Sequence, residues 1–172
     1  MQNVYLLTGK PGTGKTTLIK EVTAGLNIKA GGFFTGEIRA NGIRQGFQIT
    51  AINGRSAVLS HVSISSPFRV SKYGVDTEVL NSVGVAALNE AIEKSDLIIV
   101  DEIGKMELFS PSFKQAVALA IKSGKKVLGT IMLASDPFAD GIKQEPNVKI
   151  LNLTRVNYDR TKEEIIQWLK TA

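Results

Sequence analysis

Gly9-Lys10-Pro11-Gly12-Thr13-Gly14-Lys15-Thr16 is the stretch on which the reading of this chain turns. It satisfies G-x-x-x-x-G-K-[ST], the phosphate-binding loop, at every defined position. Its flanks agree with that reading. Val4-Tyr5-Leu6-Leu7 is a short apolar run suited to a buried strand, and Lys15 to Leu26 carries apolar residues at helical spacing. The glycines let successive backbone N–H groups turn inward around a polyphosphate. The following helix points its positive N-terminal end at the same phosphates. On this reading Gly9, Lys10, Pro11, Gly12, Thr13, Gly14, Lys15, Thr16 and Thr17 bind a nucleotide. Lys15 reaches the β- and γ-phosphates, and the Thr16 hydroxyl ligates Mg²⁺. The bland alternative is a glycine-rich turn with a chance lysine.

Outside the loop, composition narrows the classes. A chain of 172 residues, 43% hydrophobic and 22% charged, suits one globular core and is short for two domains. No apolar run is long enough to span a bilayer, and the N-terminus lacks the layout of a secretory signal. Zero cysteines remove disulfides, thiolate catalysis and cysteine-zinc sites. These features lead us to expect a cytoplasmic protein without membrane partners. The net charge of +5 is spread along the chain with no dense basic cluster, so nucleic acid is a possible partner that nothing indicates.

After the first helix the pattern changes. Phe33 to Arg39, Arg44 to Ile52 and Arg55 to Ser60 read as strands joined by Asn41-Gly42 and Asn53-Gly54, both suited to tight hairpin turns. Residues 33–60 are therefore expected to form an antiparallel meander inserted after the first helix. Residues 61–76 read as loop. The single histidine, His61, sits beside a strand end and is left out of the site. Asp76 and Thr77 can cap a helix running to about Lys94. Ser110-Pro111 opens another, with Phe113, Ala116, Val117, Ala120 and Ile121 on its inner face. Lys126 to Ile131 and Lys149 to Leu153 read as strands. Residues 136–146, with two prolines and a glycine, read as a flap over the pocket. Thr161 with Glu164 forms a capping box for a C-terminal helix. With no repeat and no linker, residues 1–172 are expected to be one domain.

Leu97-Ile98-Ile99-Val100 is a continuous apolar run, the mark of a parallel strand buried on both faces. It closes on Asp101-Glu102, which places these acids at the carboxyl edge of the sheet, where ligands of α/β folds bind. Asp101 is the expected partner of the phosphate loop, holding Mg²⁺ with Thr16. Glu102 beside it can orient and polarise a water for attack on the γ-phosphorus, which tilts the reading toward hydrolysis. A solvated carboxylate capping the turn is the plainer alternative for Glu102. Lys105 either stabilises charge on the transferring phosphoryl group or pairs with Glu102 or Glu107. Thr130, at the end of the next strand, either senses the γ-phosphate or caps a turn.

With these residues in view, the chain resembles the small nucleoside-triphosphatases first known from thermophiles, whose human member is called cancer-related nucleoside-triphosphatase. Four passages carry the likeness: Gly9 to Thr16, Gly32 to Arg39 with Gly46-Phe47, Tyr73-Gly74-Val75, and Asp101 to Ser110. The last is the most distinctive, and the likeness runs nearly end to end. It implies a three-layer phosphate-loop fold near the RecA and AAA+ side of the superfamily, with a mostly parallel sheet and extra antiparallel strands. It also implies Mg²⁺-dependent hydrolysis of nucleoside triphosphates with little base preference. The family tends to show Asn-Arg-Asp near the C-terminus, whereas this chain reads Asn157-Tyr158-Asp159-Arg160, so an arginine contact falls on Arg155, on Arg160 or on neither. A phosphate-loop kinase remains the alternative enzyme, with 61–76 or 136–146 as its lid. A nucleotide-dependent switch associated with RNA is the alternative outside enzymes. Oligomeric state stays open, and with it an arginine from a neighbouring subunit.

Overall fold

The structure, a computed structural model, describes residues 1–171. Its strands are β1 (Val4–Thr8), β2 (Ala30–Ala40), β3 (Ile43–Ala51), β4 (Ser56–His61), β5 (Arg69–Val70), β6 (Tyr73–Val75), β7 (Leu97–Ile103), β8 (Lys126–Ile131) and β9 (Val148–Asn152). The helices are α1 (Lys15–Ala24), α2 (residues 77–94, with a π-helical middle over Leu80–Val85), α3 (Pro111–Lys122), α4 (Pro137–Lys143) and α5 (Tyr158–Lys170). All nine strands join one sheet in the order β5-β6-β4-β3-β2-β7-β8-β1-β9. From β2 to β9 the pairing is parallel, and from β2 to β5 it is antiparallel.

Alternation along the central strands sends side chains into two cores. Tyr5, Leu7, Leu97 and Ile99 pack with Leu18, Ile19 and Val22 of α1 and with Ile165, Trp168 and Leu169 of α5. Val4, Leu6, Ile98 and Val100 pack on the other face with α2, α3 and α4. Helices on both faces of a mostly parallel sheet make the three-layer α/β fold expected from the sequence. No helix among the described residues is long and apolar enough to cross a membrane.

β2 corrects one expectation. It is not simply the first strand of an insert, because residues 30–33 pair in parallel with Leu97 to Val100 before the same strand pairs with β3. Gly32 makes this possible. Its φ is +106°, and a Cβ there would stand 2.0 Å from the Ile99 carbonyl oxygen.

Three further expectations fail for local reasons. Residues 61–76 are not all loop: β5 and β6 form a short pair, and β6 joins β4 through Ser60–Val75. Residues 136–146 are not a flap. Asp136 accepts hydrogen bonds from the N–H groups of Phe138 and Ala139 and starts α4, which buries Ala139 and Ile142. The capping box at Thr161 does not form either. α5 begins one turn earlier, where Asn157 and Thr154 exchange backbone-to-side-chain hydrogen bonds. Thr161 is then buried within the helix, and Glu164 pairs with Lys149. The predicted inner face of α3 is buried as read, and Ser110 caps it through the Phe113 N–H at 3.1 Å.

Candidate active site

The sheet order sets the site. β8 lies between β1 and β7, so the loop after β1 and the acids of β7 flank the C-terminal end of β8, where Thr130 sits. The loop from Gly9 to Gly14 turns on three glycines with positive φ, at 151°, 80° and 89°. Gly14 is the N-cap of α1 and supplies no side chain to its first N–H groups, which leaves those donors to a ligand. A Cβ on Gly14 would meet the Tyr158 ring at 3.0 Å, so α5 also closes on the loop. Lys15 Nζ donates to the carbonyls of Gly9 at 2.9 Å and Lys10 at 3.1 Å, curling over the loop. The Thr13 hydroxyl donates to the Lys10 carbonyl. Lys10, Pro11, Gly12 and Thr17 are exposed.

The acids meet this loop directly. Thr16 Oγ1 donates to Asp101 Oδ2 at 2.7 Å, and Thr130 Oγ1 donates to Asp101 Oδ1 at 2.7 Å. Thr130 is thus a clamp on the carboxylate and caps no turn. Asp101 is 2% exposed. Burial pushes its carboxyl above the usual range, opposed by the two threonine hydrogen bonds and by the charges of Lys20 and Lys15. Glu102 is raised as well, first by burial and then by the Asp101 charge, with Lys15 opposing. The Asp101–Glu102 peptide is cis. Hydroxyl and carboxylate oxygens are the donors that Mg²⁺ takes together with phosphate oxygens and water. Thr16 and Asp101 therefore suit that ion. Among the described residues no three His, Cys, Asp or Glu side chains converge as a protein-only cage.

Thr16, Lys15, Asp101, Glu102 and Thr130 line one cavity of about 420 Å³. Its opposite wall comes from the β2–β3 hairpin, through Thr35, Glu37, Arg44 and Phe47. Arg44 is a cavity-lining residue that the sequence reading missed. Its guanidinium pairs with Glu37 at 3.2 Å, donates to the Tyr73 hydroxyl at 2.9 Å, and lies against the rings of Phe47 and Tyr73. The signal was present in the passages Gly32 to Arg39, Gly46-Phe47 and Tyr73-Gly74-Val75, which all converge here. Arg155 and Arg160 are exposed and line neither this cavity nor the one beside it. Lys105 is exposed, makes no ion pair among the described residues, and lines the neighbouring cavity instead. His61 is occupied locally by Ser63.

Fold and loop together define a phosphate-loop α/β protein. A family model described as NTPase matches residues 4–166. The nucleoside-triphosphatase THEP1 of Thermotoga sp. (strain RQ2) is 44% identical over 165 residues, covering 96% of this chain and 94% of that protein. The corresponding protein of Thermofilum pendens is 40% identical, covering 90% and 88%. Among solved structures, THEP1 from the hyperthermophile Aquifex aeolicus superposes with a TM-score of 0.90 at 32% identity, covering 98% of this chain and 99% of that one. A human cancer-related nucleoside triphosphatase gives 0.80 at 32% identity, covering 99% and 98%. The chain belongs to the NTPase family, and the resemblance carried by the four sequence passages is borne out.

Proposed function

We propose that this chain hydrolyses the terminal phosphate of nucleoside triphosphates with Mg²⁺ and with little preference among ATP, GTP, CTP and UTP. The NTPase family match and the relatives named nucleoside-triphosphatase support the reaction class. The observation that carries the mechanism is the Thr16–Asp101 hydrogen bond, which joins the phosphate loop to the acid strand with Glu102 in the same cavity. The loop N–H groups and Lys15 bind the β- and γ-phosphates. Thr16 and Asp101 would hold the ion, which would neutralise charge on the phosphates. Thr130 fixes the Asp101 carboxylate. Glu102 accepts a proton from a water aligned on the γ-phosphorus, and the nucleoside diphosphate leaves. Arg44, held by Glu37 and Tyr73, faces the same cavity and stabilises charge on the transferring group from within the chain. Broad base tolerance follows from recognition that rests on the triphosphate, which all four nucleotides share.

Phosphate release from each of the four nucleotides, with Mg²⁺ and with no acceptor present, tests the reading. Wild type should release phosphate from all four, and Glu102→Gln should be slower by about 10²- to 10⁴-fold while still binding nucleotide. Full activity in Glu102→Gln, or turnover of a single nucleotide, sinks it.

A further inference from the structure

Beside the phosphate cavity lies a second one of about 350 Å³. The two share Pro11, Lys15, Thr35, Phe47 and Glu102. The remaining wall of the second is largely apolar, with Leu59, Val70, Met106, Met132 and Leu133. Beside the nucleotide itself, a hydrolase needs room for one attacking water, whose share of liquid volume is about 30 Å³. This space is more than ten times larger and falls in the range of small-molecule sites. Val70 and Lys105 also line a further depression with Arg69, Ser71, Phe109 and Asp136.

Two carboxyl groups line this cavity. Glu102 faces both spaces. Glu107 is 4% exposed and has no ion-pair partner among the described residues. Burial, followed by the charge of Glu102, pushes the Glu107 carboxyl well above the usual range, opposed by hydrogen bonds from the backbone N–H groups of Glu107 and Gly104. Two carboxyl groups on the wall of one cavity match a hydroxyl group, which can give a hydrogen to one and receive one from the other. The apolar wall matches a hydrocarbon body.

We propose that the second cavity binds a small alcohol with an apolar body, whose hydroxyl oxygen takes the γ-phosphoryl group in place of water. The proposal rests on the nucleoside-triphosphate reading above. In the step, the alcohol oxygen forms a bond to the γ-phosphorus as the bond to the β,γ-bridging oxygen breaks. The bridging electron pair leaves with the nucleoside diphosphate, the hydroxyl proton passes to Glu102 and then to solvent, and a phosphate monoester results.

Benzyl alcohol is the probe and glycerol, which lacks the apolar body, its control. Of the three methionines, Met106 and Met132 line the cavity and Met1 is exposed, so [¹³C-methyl]methionine spectra report binding without turnover. Benzyl alcohol should move the Met106 and Met132 signals and leave Met1 in place. With ATP and Mg²⁺, ³¹P spectra should show benzyl phosphate at about a hundredfold or more above the alcohol's molar share against water. Val70→Phe, on the two-residue edge strand β5, narrows the cavity and should lower the ratio of ester to inorganic phosphate about tenfold or more. Unmoved methionine signals, inorganic phosphate as the sole product, or an unchanged ratio in Val70→Phe each overturn the acceptor site. Ester formation with no phosphate release in the absence of alcohol would instead keep the acceptor site and overturn hydrolysis.

Discussion

In the parallel part of the sheet, β1 is buried at every position and β8 at every position but its first. In the antiparallel part, β3 and β4 mix buried, half-buried and exposed positions along their length. The two parts serve the site in correspondingly different ways. The parallel strands, packed by helices on both faces, fix where the backbone ends: the loop after Thr8, the acids at Asp101 and Glu102, the hydroxyl of Thr130. The antiparallel part contributes side chains that reach across, and it holds them by contacts among its own strands, as Glu37, Phe47 and Tyr73 hold Arg44. Anchoring by core burial and anchoring by a small polar and aromatic cluster predict different responses to mutation.

The largest effect is expected where the two parts join. Gly32→Ala puts a Cβ 2.0 Å from the Ile99 carbonyl at a backbone φ of +106°, so β2 and β7 must separate. Stability should fall by about 4 kcal/mol or more, read from urea unfolding. A loss under about 1 kcal/mol would show that β2 adapts and that the junction is soft. Next is Arg44→Ala, which leaves the core intact and should lower kcat about a hundredfold, or about 2.7 kcal/mol of barrier, with unchanged unfolding. Wild-type kcat in that variant would confine the hairpin to a structural role.

The smallest effect concerns Glu107. Burial, Glu102 and Asp101 raise its pKa in the folded protein, so the folded state binds its proton more tightly than the unfolded chain. Its stabilising contribution is present below the ordinary glutamate pKa of 4.5 and is lost as pH rises through the raised value. Tm should therefore decline with rising pH across that window, and Glu107→Gln should flatten part of the decline. Identical Tm–pH slopes in the two proteins would remove Glu107 from the account.

The same contrast explains what could be read in the chain. Gly9 to Thr16, the run Leu97 to Val100 ending in Asp101, and the inner face of α3 are local patterns whose periodicity or spacing is complete in one stretch, and each stands where it was expected. The pairing of Thr16 with Asp101 is legible from the two motifs together, whereas the hydrogen bond from Thr130 to the same carboxylate depends on strand order, which no single stretch contains. Arg44 was hidden more deeply. Its side of the hairpin depends on a register shift between Ile38 and Arg39, and its partner Tyr73 lies on a three-residue strand too short for any alternation to show. At α4 and α5 the turn chemistry of Asp136 and Asn157 outweighed the proline content and the Thr161–Glu164 spacing from which those segments were read.

Sharing β2 between the two parts of the sheet also limits where this fold can change length. The hairpin tip at Asn41-Gly42 is exposed, and residues gained or lost there leave the pairing of β2 with β7 in place. The segment Ala30 to Phe33 is hydrogen-bonded to β7 immediately before Asp101, so one residue added there would slip the hairpin against the acid strand and turn its side chains to the opposite face. Length variation among natural relatives should accordingly collect at the tip and be rare at the base, and a graft of this hairpin onto another sheet must carry Gly32 with it.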